Sequence, residues 1–363
     1  MNNKILITGC GGYLGSNLMP FLLKKGYMVH GLDIDFFKEC NLYKNPKIEK
    51  LINYKDSKDL VLSDIKNFDV IIHLAGISND PLNNLTSENV YDPTRVYTLK
   101  IAKICKELDK KFIFASSCSV YGASKTNHFL NETSETNPQT GYSLNKLQIE
   151  RDLESIASEF FFPICLRFAT IFGVSSRMRF DIVINMLVGM ALIEKEVKLN
   201  SDGMAWRPNL YIDDACTAIE CAINYKKQKE DDKILILNVG RDDNNLRIID
   251  IAKSIIKLIP DSKLKYLKNS QENSKDQLFV DRKIKEGKDN RTYKVSFEKL
   301  KKKFGNICQY TVEEGIEIMI NDLKKIDFNK KKFKDNGFYR LQYLESLFEK
   351  KLINKDLKWR NKV

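Results

Sequence analysis

The sequence predicts an α/β fold: a doubly wound parallel sheet followed by a smaller α/β lobe. Three observations carry this. Short apolar runs alternate with stretches of helical period through the first half, a glycine-rich turn follows the first run and opens a helix, and the regular alternation breaks down after about Gly173. With 363 residues and 43% hydrophobic content, the chain is long enough for a large core in two lobes.

Taken in order, "KILITG" reads as a strand leading into a helix from about Tyr13 to Lys25, and "MVHGLD" as the second strand. "VIIHLAG" is a buried run, and the stretch from about Thr94 to Leu108 has helical period, with Pro93 suited to a first turn. "KFIFASS" and "PICLRFA" are further strands, separated by a helix beginning near Tyr142. Beyond Gly173, "VSSRMRFDIVINMLVGMAL" is an irregular segment entering a helix, "LYIDDACTAIECAINY" a strand and then a helix, and "LRIIDIAKSIIKLI" an amphipathic helix. Residues 261–292 are polar and lysine-rich, expected as loop with some strand, and "TVEEGIEIMINDLKK" and "GFYRLQYLESLFEKK" close the chain as helices. The expected division is residues 1–175 for a nucleotide-binding domain, 176–325 for a second lobe with some segments returning to the first sheet, and 326–363 for a basic helical extension.

The net charge of +12 suits an anionic partner, but many lysines cluster late in runs that read as solvated surface. No basic and aromatic interleaving of the RNA-binding kind appears, so nucleic acid is not the expected partner. Gly9, Gly11 and Gly12 interrupt the amino-terminal apolar run before it reaches the length of a signal-peptide core or a membrane span, and a cytoplasmic protein without membrane contact is expected. The eight cysteines form no CxxC pair and lie mostly in apolar runs, while His30 and His73 read as packed or hydrogen-bonded, so no metal is expected.

The strongest motif is "ITGCGGYLGSNL", where Gly9, Gly12 and Gly15 permit a tight turn, close approach of backbone amides to a pyrophosphate, and packing of helix on strand. Asp33 lies 18 positions beyond Gly15 at the end of the second strand, where a carboxylate accepts both hydroxyls of an adenosine ribose and repels a 2′-phosphate. Together these mark a Rossmann site for NAD in preference to NADP. "SSCSVYG" then places a serine at a strand end, and "GYSLNK" places Tyr142 and Lys146 four residues apart on one helical face. A nearby ammonium stabilises phenolate, which lets a tyrosine accept a hydroxyl proton while hydride leaves the same carbon.

These motifs, with "DVIIHLAG" and "RPNLYIDD", resemble an extended short-chain dehydrogenase/reductase of the NAD-dependent nucleotide-sugar epimerase and dehydratase superfamily, matching from residue 4 to about residue 316. The resemblance implies that Ser117 hydrogen-bonds the sugar, Tyr142 is the acid/base, and Lys146 holds the nicotinamide ribose and tunes Tyr142. It implies a cofactor site of Gly9, Gly12, Tyr13, Leu14, Gly15, Asp33, Asp56, Leu74, Ala75 and Gly76. On the substrate side it implies Ser117, Cys118, Thr170 and Asn185, with Arg207 and Arg291 on the pyrophosphate, and it implies a homodimer. Arg177 and Arg179 stand equally well as phosphate contacts or as solvated surface.

Relatives that eliminate water carry Asp-Glu after the catalytic Ser/Thr, and decarboxylating relatives a glutamate at the second position. Here those positions are Cys118 and Ser119, which disfavours both reactions. Relatives performing 3,5-epimerisation place cysteine second, not first, so Cys118 is open to packing or to acid/base work. The leading expectation is C4 epimerisation of a nucleotide sugar through a transient 4-keto intermediate. The alternatives are a reductase or dehydrogenase of a nucleotide-linked sugar using the same triad, or a non-catalytic nucleotide- or RNA-binding protein.

Overall fold

The computed structural model describes residues 3–78, 87–124, 128–267 and 291–360. Its first half is β1 (Lys4–Thr8), α1 (Gly15–Lys24), β2 (Met28–Asp33), α2 (Pro46–Glu49), β3 (Ile52–Tyr54), α3 (Leu62–Ile65), β4 (Val70–His73), α4 (Ser87–Glu107), β5 (Lys111–Ser117), β6 (Phe129–Leu130), α5 (Gly141–Ile156) and β7 (Ile164–Phe168). The second half is β8 (Thr170–Phe172), α6 (Val183–Glu194), β9 (Glu196–Leu199), β10 (Trp206–Tyr211), α7 (Ile212–Asn224), β11 (Leu235–Val239), β12 (Asn245–Arg247), α8 (Ile248–Leu258), β13 (Lys263–Tyr266), β14 (Lys294–Val295), α9 (Glu298–Phe304), α10 (Val312–Lys325), α11 (Lys330–Phe333) and α12 (Arg340–Glu349).

Seven strands form one parallel sheet in the order β11-β7-β5-β4-β1-β2-β3. β4 and β7 are buried along their whole length, as continuous apolar runs covered on both faces must be. The chain runs from β1 outward through β2 and β3, then crosses back to β4, which makes the gap between β1 and β4 the switch point where ligands bind. The register aligns Thr8 with Leu32 and with His73, and Ser117 with Phe168. The Gly9 turn, Asp33, Leu74 and Ser117 therefore emerge along one carboxyl edge.

β11 comes from the second half of the chain, and α7 packs on β5, β7 and α1, so residues 212–239 complete the first sheet. The other lobe contains the small sheet β12-β10-β8, the pair β13-β9, and a core of α6, α8 and α10 around Leu187, Ile251, Ile316 and Met319. α4 begins at Ser87, earlier than its periodicity suggests, with Pro93 inside it. Packing on α5 outweighs the hydrogen bond that an interior proline forfeits. Residues 326–360 do not hang off as an appendage. Phe333 and Phe338 sit in the core of the second lobe, while Leu344, Leu347, Ile353 and Leu357 pack with Phe36 and Tyr91 of the first.

Candidate active site

The phosphate end of the cleft is built by backbone. Gly9 adopts φ +75°, and a β-carbon there would lie 2.6 Å from the amide nitrogen of Ala75; one on Gly15 would lie 2.6 Å from Cys10 Cα. The loop is thus wedged against Leu74–Ala75, whose Leu74 N–H donates to Thr8 O at 3.0 Å. A β-carbon on Gly12 would meet nothing within 4 Å except Gly9 O at 3.2 Å, so its face is open for close approach. α1 starts at Gly15 with no side-chain cap and no acidic residue in its first turn, leaving its amide end suited to an anion.

Asp33 accepts from Gly11 N at 2.8 Å and from Asp35 N at 2.7 Å. Burial raises its pKa, and those amides together with Arg177 and Arg340 pull it back down. Each carboxylate oxygen takes one backbone donor, which leaves acceptor capacity for ribose hydroxyls. Asp56 caps the short turn Ser57–Asp59 by accepting from Lys58 N. This donor set and the glycine cradle fit a dinucleotide.

At the reacting end, Ser117 terminates β5 and its hydroxyl accepts from Ser119 N at 3.1 Å. The Ser119 hydroxyl is buried without a hydrogen-bond partner. Tyr142 sits in the first turn of α5, whose start is fixed by Thr140 and Ser143 in a reciprocal cap. Lys146, only 6% exposed, donates from Nζ to Ala115 O at 2.7 Å, two residues before Ser117, and lies 5.6 Å from the centre of the Tyr142 ring. Burial pushes its ammonium down to about 8, opposed by the charge of Glu150. The fold thus brings Ser117, Tyr142 and Lys146 to the junction of β5 and α5.

Beneath the triad lies a network the sequence reading missed. Glu150, 2% exposed, and Arg167, 4% exposed, pair at 2.7 Å; Ser116 donates to the same carboxylate at 2.5 Å, and Arg167 donates to Tyr121 OH at 2.9 Å. The signals were present: Glu150 follows Lys146 by one helical turn, and Arg167 interrupts an otherwise apolar strand. His73 bridges Thr8 and Thr98 through its two ring nitrogens, and burial pushes it down to about 3. No cluster of three potential metal ligands occurs among the described residues.

Several expected contacts are placed elsewhere. Cys118 is 1% exposed, its thiol donating to Arg167 O at 3.0 Å within the core, and burial pushes its pKa up; the side chain is turned into the core. Asn185 is fully buried, accepting from Gly173 N at 3.0 Å and donating to Tyr13 OH and Arg179 O. The Tyr13 hydroxyl donates to Gly173 O at 2.7 Å, so this side chain clamps the two lobes together rather than lining the cofactor face. Leu14 occupies the cap position of α1, and its side chain packs between the two main cores. Thr170 is half-buried in β8, paired with Asn209. Arg207 and Arg291 are brought together, Arg207 Nη1 donating to the Arg291 carbonyl and to Trp206 O. Neither Arg177 nor Arg179 is solvated surface: Arg177 reaches Phe37 O and Asp35, and Arg179 pairs with Asp181 at 2.8 Å and bonds Ser78 Oγ.

Residues 5–240 match the model of the NAD dependent epimerase/dehydratase family, and the chain belongs to that family. It is an enzyme of the NAD-dependent nucleotide-sugar epimerase and dehydratase type. It is 30% identical over 236 residues to an uncharacterized UDP-glucose epimerase of Bacillus subtilis, covering 61% of this chain and 72% of that one. It is 26% identical over 276 residues to a dTDP-D-glucose 4,6-dehydratase of Dictyostelium discoideum, covering 70% of this chain and 62% of that one. The fold is shared with UDP-glucuronic acid 4-epimerase of Bacillus cereus, solved with UDP-glucuronic acid and NAD, at a TM-score of 0.70 and 24% identity over 89% of this chain and 99% of that one. Among the described residues, no helix is long and apolar enough to cross a membrane.

Proposed function

We propose that the protein epimerises a nucleotide sugar at C4 through a transient 4-keto sugar. The observation that carries this reading is the pairing of the β5–α5 triad with the absence of a carboxylate at the two positions after Ser117: Cys118 is turned into the core and Ser119 is a hydroxyl. That set of groups suffices for moving one proton and one hydride at a carbinol and lacks the acid and base that elimination needs. NAD supplies the hydride acceptor and donor. Ser117 orients the sugar hydroxyl, Tyr142 takes its proton and later returns it, and Lys146, held on Ala115 O, supplies the positive charge that favours phenolate. Arg207 and Arg291 form the arginine pair that anchors the substrate pyrophosphate, so that nucleotide binding energy holds the keto sugar while it turns over.

UDP-glucose and UDP-glucuronic acid, named for relatives, are the first substrates to offer. The expected result is formation of the 4-epimer with no net change in NADH absorbance. Stoichiometric NADH formation or consumption without epimer defeats the proposal. The reading includes a homodimer through α4 and α5, which pack together and expose Val96 and Leu144. Sedimentation velocity tests it.

A further inference from the structure

The carboxyl-terminal segment lies outside the residues matched by the family model, yet it touches the cofactor site at three places. At the first, it grips the loop that follows Asp33. The Trp359 indole donates to Ile34 O at 2.8 Å and its ring lies 5.5 Å from that of Phe36, while the Arg340 guanidinium stacks 4.0 Å from the Phe37 ring. The same loop holds Asp35 at φ 64°, with one carboxylate oxygen buried without a hydrogen-bond partner and met by the Arg177 guanidinium 3.7 Å away. The loop's conformation is therefore imposed by its neighbours. At the second place, Asp356 O accepts from Lys58 Nζ at 2.8 Å, on the turn capped by Asp56. At the third, Leu344, Leu347, Ile353 and Leu357 form a cluster with Tyr91 and Phe36 against which Tyr142 packs.

Asp33 and Asp56 mark the adenosine end of the dinucleotide site and Tyr142 the reacting end, so one segment spans both. We infer that residues 335–359 form the outer wall of the NAD site, and that Arg340 is the positioning residue that ties this wall to the Asp33 loop. Arg340 is buried where the lobes meet: its backbone N–H donates to Asp181 Oδ2 at 3.1 Å, and its guanidinium donates to Arg177 O at 2.7 Å and Gly337 O at 3.1 Å. Its charge also acts on Asp33, favouring the ionised carboxylate that accepts ribose hydroxyls. A wall of this kind slows release of the dinucleotide, which suits a reaction that returns its hydride each cycle. The inference rests on the proposed function only for that last advantage, because the binding itself requires no sugar.

The test uses the full chain and NADH, without any sugar nucleotide. In a Trp206→Phe background Trp359 is the sole indole, and its emission is expected to be strongly quenched with energy transfer to bound NADH; an emission indifferent to NADH overturns the inference. Stopped-flow displacement of NADH by excess NAD is expected to be about tenfold faster in Arg340→Met and in Leu344→Asp/Leu347→Asp than in the parent, with Arg340→Lys intermediate. Equal release rates in folded variants also overturn it. If either variant fails to fold, hydrogen exchange of the parent decides: residues 335–359 gain protection on NAD binding, or the wall is not part of the site. A missing epimerase activity with these results intact would remove the proposed reaction and leave the wall standing.

Discussion

The two sides of the cleft hold their polar groups in opposite ways. On the sheet side, the glycine turn and Asp33 are positioned by backbone, and each Asp33 oxygen takes one backbone donor and keeps further acceptor capacity. On the lobe side, Asn185 and Gly173 bond each other and the Tyr13 hydroxyl that reaches across from the glycine turn, and Arg207 is bonded to main-chain carbonyls. The sheet side is built to receive a ligand without rearrangement, whereas the lobe side must exchange bonds it already makes. Outside the carboxyl-terminal wall, cofactor binding should accordingly be insensitive to changes at the lobe, and sugar binding sensitive to them.

The largest expected break in this contrast is Tyr142→Phe, which should lower kcat by about a thousandfold while NAD stays bound, as general acid/base losses do. An active variant removes the proton-transfer assignment. Next, Gly9→Val puts a side chain against Ala75 N in a left-handed conformation, and should abolish NAD binding and lower the melting temperature, at a backbone cost of about 1–3 kcal/mol. Calorimetry reads both. Asn185→Ala strands the Gly173 N–H and loosens Tyr13, and should cost about 1–3 kcal/mol in urea unfolding with NAD affinity unchanged. A raised KM with unaltered stability would instead make Asn185 a substrate ligand.

A smaller effect separates the two sides by pH. Burial pushes the Lys146 ammonium down to about 8, against about 10.4 when free, so under the proposed assignment the charge that assists Tyr142 disappears as pH rises through 8. The kcat profile should show an alkaline limb there, displaced upward in Lys146→Arg. Stability runs the other way: between the folded and free values the unfolded chain binds more protons, so this group favours the fold increasingly as pH climbs through that window. The smallest effect belongs to Cys118→Ala, expected to cost about 1 kcal/mol of stability with kcat unchanged; a large loss of kcat would return the thiol to the chemistry.

The difference between the two sides also explains what could be read from residues alone. The turn at Gly9, Gly12 and Gly15, the spacing to Asp33 and the Tyr142–Lys146 pair are local, fixed by one turn, one strand end or one helical face, and their placement follows from sequence spacing. Asn185 and Tyr13 lie 172 positions apart, so their capture by each other has no local signature. Cys118 could be assigned to core or cleft only by the direction in which the turn after Ser117 points it. The segment beyond residue 325 reads as basic and helical, but Leu344, Leu347, Ile353 and Leu357 form no continuous stripe, being split between a helix and the turn that follows. Residues 268–290, within the stretch expected as loop with some strand, lie outside the described residues.

The buried pair of Glu150 and Arg167 ties the helix bearing Tyr142 to the strand beside Ser117. Removing one partner of such a pair typically costs about 3–5 kcal/mol, because the other is left charged without compensation. α5 is therefore poorly able to detach by itself. Heat inactivation should coincide with global melting, leaving no temperature interval in which a folded but inert enzyme accumulates.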